Sequence, residues 1–319
     1  MIDACAREDL PPLDILLAAP RGFCAGVRRA IEAVRDALRV HGPPVYVRRP
    51  IVHNLRVVRA LEAEGAVFVE ELCEVPEGAV VILSAHGVAP QVAEEAARLG
   101  LTAYDAVCPL VAKVHREVER HHRNGRHIVL VGHEGHPEIV GTVGHAPAGS
   151  VSVIRGAADV RTLPFPTGRR LALAVQTTYS VEEAAQVTAA LDARFRDVDR
   201  PAAGDICYAT TNRQAAVRAI AARADSIIVA GESFSSNACR LAEIAAAAGC
   251  SSVQRVGGPE EIDWSRIPLS GALGITAAAS TPESVVTDIL DALRTSYRLR
   301  IEEVRAVEET TEFKRVAIG

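Results

Sequence analysis

The chain has 319 residues, of which 49% are hydrophobic and 24% charged. That is an ordinary globular composition, long enough for about two domains. A formal net charge of -5 and 4% aromatics exclude a basic field that gathers nucleic acid and a stacking platform for single strands. No apolar run approaches the roughly 18 residues of a membrane span, and lysine occurs only at Lys113 and Lys314, with no G-x-x-x-x-G-K-[ST] phosphate loop. The opening segment is acidic and broken by Pro11 and Pro12, unlike a signal or transit peptide, so a cytoplasmic chain is expected.

The first apolar run, Ile15-Leu16-Leu17-Ala18, leads through Gly22-Phe23-Cys24-Ala25-Gly26 into a helix predicted to reach about Leu38. Pro44 to Val47 and Val80 to Leu83 read as strands, and a helix is predicted from about Gln91 to Leu99. Short apolar runs alternating with helical patterns predict an α/β fold with mostly parallel sheets.

A repeat then emerges. GFCAGVRRAIEAV, DAVCPLVAKVHREV and DICYATTNRQAAVRAI each place a cysteine just before an amphipathic helix. A β-rich run follows each and ends in polar residues: VYVRRPIVHN, IVLVGHEGHPE and SIIVAGESFSSN. His53, His136 and Ser235 lie 29, 28 and 28 residues beyond Cys24, Cys108 and Cys207. Later runs, VVILSAHG, LALAVQTTYS and ALGITAAASTP, carry His86, Thr177 and Ser280. Three α/β units follow: 26–107, 108–204 and 205–295, with an N-terminal extension 1–13, a strand and first cysteine at 14–25, and a C-terminal tail 296–319. In such sheets ligands bind outside the carboxyl ends of the strands.

Seven cysteines without a C-x-x-C exclude a zinc ribbon and a ferredoxin run. Cys24, Cys108 and Cys207 share a register. Three thiolates could hold a metal or an iron–sulfur cluster, leaving one iron open to a substrate oxygen, or each could be a small buried apolar group. Cys73, Cys239 and Cys250 have no matching partners and read as structural; Cys5 falls in a loose N-terminal tail. Gly22 and Gly26 permit close backbone approach at a strand-to-helix turn, where anions are favoured. Ser235-Ser236-Asn237 reads as a helix N-cap or an anion site, since both use the same N–H groups. Ser180 with Glu183, and Ser280 with Glu283, fit the capping box. Histidines at strand ends, His53, His86 and His136, favour an anionic ligand. Glu138 is either a proton relay beside an open metal position or a first-turn helix glutamate. His115, His121, His122 and His127 read as a solvated helix face.

Taken together, PRGFCAGV, YVRRPIVHN, SAHGV, DAVCPLVAKVH, GHPEIVGT, QTT, DICYATTNRQ and SSN resemble the 4-hydroxy-3-methylbut-2-enyl diphosphate reductase family over about residues 14 to 313. The resemblance implies three pseudo-symmetric α/β units around a central [4Fe-4S] cluster held by Cys24, Cys108 and Cys207. It implies that His53, His86, His136, Thr177, Ser235, Ser236, Asn237 and Ser280 hold the substrate, mostly its diphosphate. Glu138 would deliver protons, with Thr177 in the same network. The implied reaction removes an allylic hydroxyl with two electrons and two protons, giving isopentenyl and dimethylallyl diphosphates, with ferredoxin or flavodoxin as electron donor. The sequence departs from the family pattern at Phe234, Ala238, Ala278, Val107 and Ala19, each apolar or bulkier than usual. A dehydratase using an open iron, a divergent copy acting on another allylic diphosphate, and a diphosphate-binding protein without turnover are the alternatives.

Overall fold

The computed structural model describes residues 10–201 and 204–319; Cys5 and most of the expected N-terminal extension lie outside them. In chain order the elements are β1 (Pro12–Ala19), α1 (Ala25–His41), β2 (Val45–Arg48), α2 (Leu55–Ala63), β3 (Ala66–Val69), β4 (Val80–Leu83), α3 (Pro90–Arg98), β5 (Thr102–Asp105) and α4 (Pro109–Arg123). Then come β6 (His127–Val131), α5 (Pro137–Val143), β7 (Val151–Ile154), α6 (Ala157–Val160), β8 (Leu171–Val175), α7 (Val181–Arg194) and β9 (Val198–Asp199). The last stretch holds α8 (Tyr208–Ala221), β10 (Ser226–Ala230), α9 (Ser236–Ala247), β11 (Ser252–Val256), β12 (Ala272–Ala277), α10 (Glu283–Arg294) and β13 (Arg298–Arg305).

The strands form three parallel sheets, ordered β3-β2-β4-β5, β7-β6-β8-β9 and β11-β10-β12-β1-β13. The α/β class with parallel sheets is therefore as the sequence implied. The same order recurs in each sheet. Its fourth strand is the one that leads to the next cysteine: β5 to Cys108, β9 to Cys207, and β1 to Cys24.

Period-two alternation explains how β1 is held. Leu13, Ile15 and Leu17 face a core shared with Val285, Val286 and Ile289 of α10, whereas Leu16 and Ala18 face Val217 and Ile220 of α8 and Leu241 of α9. Burying such side chains stabilises by about 1.5–3 kcal/mol each. β6 is buried at all five positions because α7 covers one face, against Val129 and Val131, and α4 the other, against Ile128 and Leu130.

The expected tail 296–319 contains β13, which pairs with β1 along eight residues, from Pro12 opposite Arg298 to Ala19 opposite Arg305. Its sequence, RLRIEEVR, hid it: on a sheet edge, charged side chains are tolerated and discourage further pairing.

The chain divides into two compact units. One comprises the segment ending at Cys24 together with Tyr208–Thr311, and holds the five-stranded sheet. The other comprises Ala25–Cys207 with Glu312–Gly319 and holds both four-stranded sheets. Within this unit α5 runs close to the loop after β4, and only glycine fits there: a Cβ on Gly141 would lie 2.9 Å from the Gly87 carbonyl oxygen.

Candidate active site

Each of Cys24, Cys108 and Cys207 immediately precedes a helix: α1, α4 and α8. Each is half-buried and outside any disulfide. Their amides are anchored identically. Cys24 N donates to Ala279 O at 3.3 Å, Cys108 N to Ala85 O at 3.0 Å, and Cys207 N to Thr177 O at 3.1 Å. Every acceptor lies two residues past the end of its strand: β12, β4 and β8 respectively. Gly22 makes the first turn possible, with φ of 65° and a Cβ position 3.2 Å from Thr281 O, so a side chain there would be strained and crowded.

The donor set suits an iron–sulfur cluster. Soft thiolates are its normal ligands, and a helix N-terminus stabilises the negative charge they carry. Among the described residues no group of three His, Cys, Asp or Glu could hold a single metal ion; thiolates bound to separate irons of a cluster do not need to form one.

In the unit holding both four-stranded sheets, three histidines meet. His53 stacks on His86 with ring centroids 4.2 Å apart, and His136 meets them edge-on at 5.3 and 5.8 Å. His53 and His136 both lie five residues past their strands, β2 and β6. Burial lowers the pKa of His53. Burial and the neighbouring imidazoles push His86 well below the ordinary value and His136 to about 3. Three imidazoles this close repel one another as cations, and an anion among them reverses that penalty. His136 Nδ1 accepts from Glu138 N at 3.1 Å, capping α5. That bond places the ring proton on Nε2, which is then a donor for a ligand.

Glu138 is buried, at 3% exposure. Thr177 N donates to its Oε1 at 2.6 Å and Thr177 Oγ1 donates to its Oε2 at 2.9 Å. Burial raises its pKa to about 7; the two Thr177 bonds oppose the rise, and repulsion from Asp205 adds to it. Asp205 is itself raised to about 6 by burial, against a bond from Val175 N and the charge of Lys113. A carboxyl poised near neutrality can both give and take a proton.

In the other unit, Ser235 lies five residues past β10 and caps α9, accepting from Ala238 N at 3.4 Å. Its Oγ is 3.3 Å from Ser280 Oγ. Asn237 Oδ1 accepts from Ala279 N at 2.9 Å, while its buried Nδ2 has no hydrogen-bond partner among the described residues. Ser236 is the first residue of α9, half-buried. A helix N-terminus with two hydroxyls and an unsatisfied buried donor is equipped for an oxyanion.

Several expectations need correction. Ser280 does not cap α10, whose cap residue is Pro282; Ser280 faces Ser235 instead. Ser180 does cap α7, accepting from Glu183 N. His115, His121 and His127 do not form a solvated face. All three are buried, because α4 is covered along more than its apolar stripe and His127 belongs to β6. His115 stacks on His145 at 4.0 Å, and His127 hydrogen-bonds Ser152. Counting from strand ends, Thr178, not Thr177, matches His86 and Ser280 at three residues past the strand. Phe234 is 47% exposed, whereas Ala238 and Ala278 are buried against Gly231, where a Cβ would lie 2.7 and 3.1 Å from theirs. Sequence reading missed Gln176, Asp205 and Lys113. Gln176 Oε1 accepts from His133 N and its Nε2 donates to Thr178 Oγ1; the QTT and DIC motifs were the available signal.

The LytB protein family model matches residues 15–294. The chain belongs to the LytB family. The 4-hydroxy-3-methylbut-2-enyl diphosphate reductase of Paracoccus denitrificans is 51% identical over 304 residues, covering 95% of this chain and 96% of that one. The enzyme of the same name from Gluconobacter oxydans is 51% identical over 306 residues, covering 95% and 91%. Among solved structures, the E-1-hydroxy-2-methyl-but-2-enyl-4-diphosphate reductase from Plasmodium falciparum superposes with a TM-score of 0.90 at 36% identity, covering 96% of each chain. The family inferred from the motifs is thus the family found, and its curated members are named as enzymes. Among the described residues of this LytB chain, no helix is long and apolar enough to cross a membrane.

Proposed function

We propose that this LytB-family chain reduces (E)-4-hydroxy-3-methylbut-2-enyl diphosphate to isopentenyl and dimethylallyl diphosphates. In this reading Cys24, Cys108 and Cys207 hold a [4Fe-4S] cluster, His53, His86, His136, Ser235, Ser236, Asn237 and Ser280 hold the diphosphate end, and ferredoxin or flavodoxin brings electrons. The observation that carries it is the threefold turn: a half-buried cysteine at a helix N-terminus, its amide bonded two residues past a strand end, repeated three times. When bound, the cluster would supply single electrons and one iron without a cysteine ligand for the substrate oxygen.

The chain's own residues supply the rest. Three partly buried imidazoles and the N-terminus of α9 are suited to neutralise a diphosphate. Glu138 carries a proton near neutral pH, and Thr177 fixes its carboxyl through both oxygens. Two electrons and two protons balance the reaction: the C–O bond breaks, the oxygen leaves as water, and carbon gains hydrogen. Proton delivery matters because water leaves an allylic carbon more readily than hydroxide does.

An anaerobic assay with reduced donor and the hydroxylated diphosphate tests this. Two electrons consumed per five-carbon product formed is the expected result. Water loss without electron uptake would make the chain a dehydratase, and binding without product would make it a diphosphate-binding protein.

A further inference from the structure

We propose that Arg29, Lys113 and Arg213 are positioning residues that hold the three cysteine turns in cyclic order, each serving the turn of the next cysteine rather than its own. The proposal rests on the reading of these cysteines as cluster ligands for its consequence, and on contacts in the structure for its geometry. Arg29 lies five residues after Cys24, on α1, and its Nη1 donates to Val107 O at 2.8 Å, just before Cys108. Lys113 lies five residues after Cys108, on α4. It donates to Gly204 O and pairs with Asp205 at 3.6 Å, just before Cys207. Arg213 lies six residues after Cys207, on α8. Its Nε and Nη2 donate to Gly22 O at 3.0 and 2.6 Å, two residues before Cys24.

Geometry favours a positioning role over general stabilisation. Arg213 has 0% exposure, and a buried guanidinium is retained only where its charge and donors are met. Glu309 meets the charge, at 2.8 Å from Nη1 and 3.4 Å from Nη2; Nη1 also donates to Ala209 O within α8 at 3.0 Å, and outside its own helix Gly22 O is the backbone acceptor of Nε and Nη2. Likewise Lys314 O accepts from Arg29 Nε at 2.9 Å. Both supports come from the C-terminal segment, beyond residue 294 where the family match ends. A turn whose carbonyl loses this fixed cation swings, and its cysteine swings with it.

The test uses the full chain purified anaerobically with its iron, read by hydrogen exchange of the segments 20–24, 105–108 and 204–207 and by iron release to a chelator. Lys113→Met should speed exchange at 204–207 by about tenfold or more and speed iron release. Exchange at 20–24 and at 105–108, the turn of its own helix, should stay within about twofold. Lys113→Arg should restore both readings. Glu309→Gln, which spares the buried arginine, should speed exchange at 20–24 and leave 204–207 alone. Faster exchange in the residue's own turn, equal acceleration of all three turns, no acceleration, or the expected exchange with unchanged iron release each overturns the proposal. A parent protein that binds no iron would instead remove the cluster reading, while the exchange pattern still decides the cyclic order of contacts.

Discussion

Glu138 shows what burial does to a single carboxyl. Its ordinary pKa of 4.5 rises to about 7 because desolvation outweighs two hydrogen bonds from Thr177. The folded value is raised, so the native state holds the proton between those two values while the unfolded chain gives it up. Its contribution to stability is full below about pH 4.5 and is lost as pH rises through about 7. By pH 8 the ionised form costs about 3 kcal/mol, at about 1.36 kcal/mol per pH unit. Glu138→Gln keeps the shape and hydrogen-bonding capacity without the charge. It should therefore raise the unfolding free energy at pH 8 by about 1–3 kcal/mol, a gain that fades by pH 5, measured by urea unfolding at both pH values. The same variant should bind substrate nearly normally and lose about 10²–10⁴-fold in turnover. Turnover within about twofold of the parent would leave Glu138 a first-turn helix residue and no more.

At the level of elements, the N-terminus of α9 has the donors that the proposed diphosphate contact needs. Asn237 works in two directions there: its Oδ1 holds the loop after β12 through Ala279 N, and its Nδ2 is left for a ligand. Hydrogen bonds to charged groups contribute about 1.5–3 kcal/mol, so Asn237→Ala should weaken binding of the diphosphate substrate by roughly ten- to a hundredfold, read by calorimetric titration. Unchanged affinity would place the diphosphate elsewhere. Three of the family departures lie in or beside this element. Ala238 and Ala278 fill the space over Gly231, whereas Phe234 points a large part of its ring to solvent.

For the molecule as a whole, the repeated order of the three sheets makes three cysteines equivalent and leaves the others without counterparts. Cys73 is exposed, Cys239 accepts from Arg255 and donates to Ser233 O, and Cys250 belongs to an apolar core. Serine at Cys24, Cys108 or Cys207 should each abolish bound iron in anaerobic preparations. Serine at Cys73 or Cys239 should leave the iron content of the parent. Normal iron in the Cys207→Ser protein would end the threefold assignment.

Much of this was legible in the residues alone. Continuous Val/Ile/Leu runs announced buried parallel strands, since a strand covered on both faces has no polar side to show. The cysteine register and the capping of α7 by Ser180 followed from local patterns that need no distant partner. The resemblance of eight motifs pointed to the family. Other features depended on residues far apart in sequence. The strand β13 is polar and, among the described residues, lies at the edge of its sheet, so composition alone hides it. The burial of His115, the stacking of His53 on His86 and the raised pKa of Glu138 come from packing between separate elements, which no periodicity encodes. The membership of β1 in the last sheet was likewise decided by tertiary structure. Most strands here pair with a neighbour in sequence, as is usual, but β1 pairs with β12 and β13 from the far end of the chain, and no local pattern names so distant a partner.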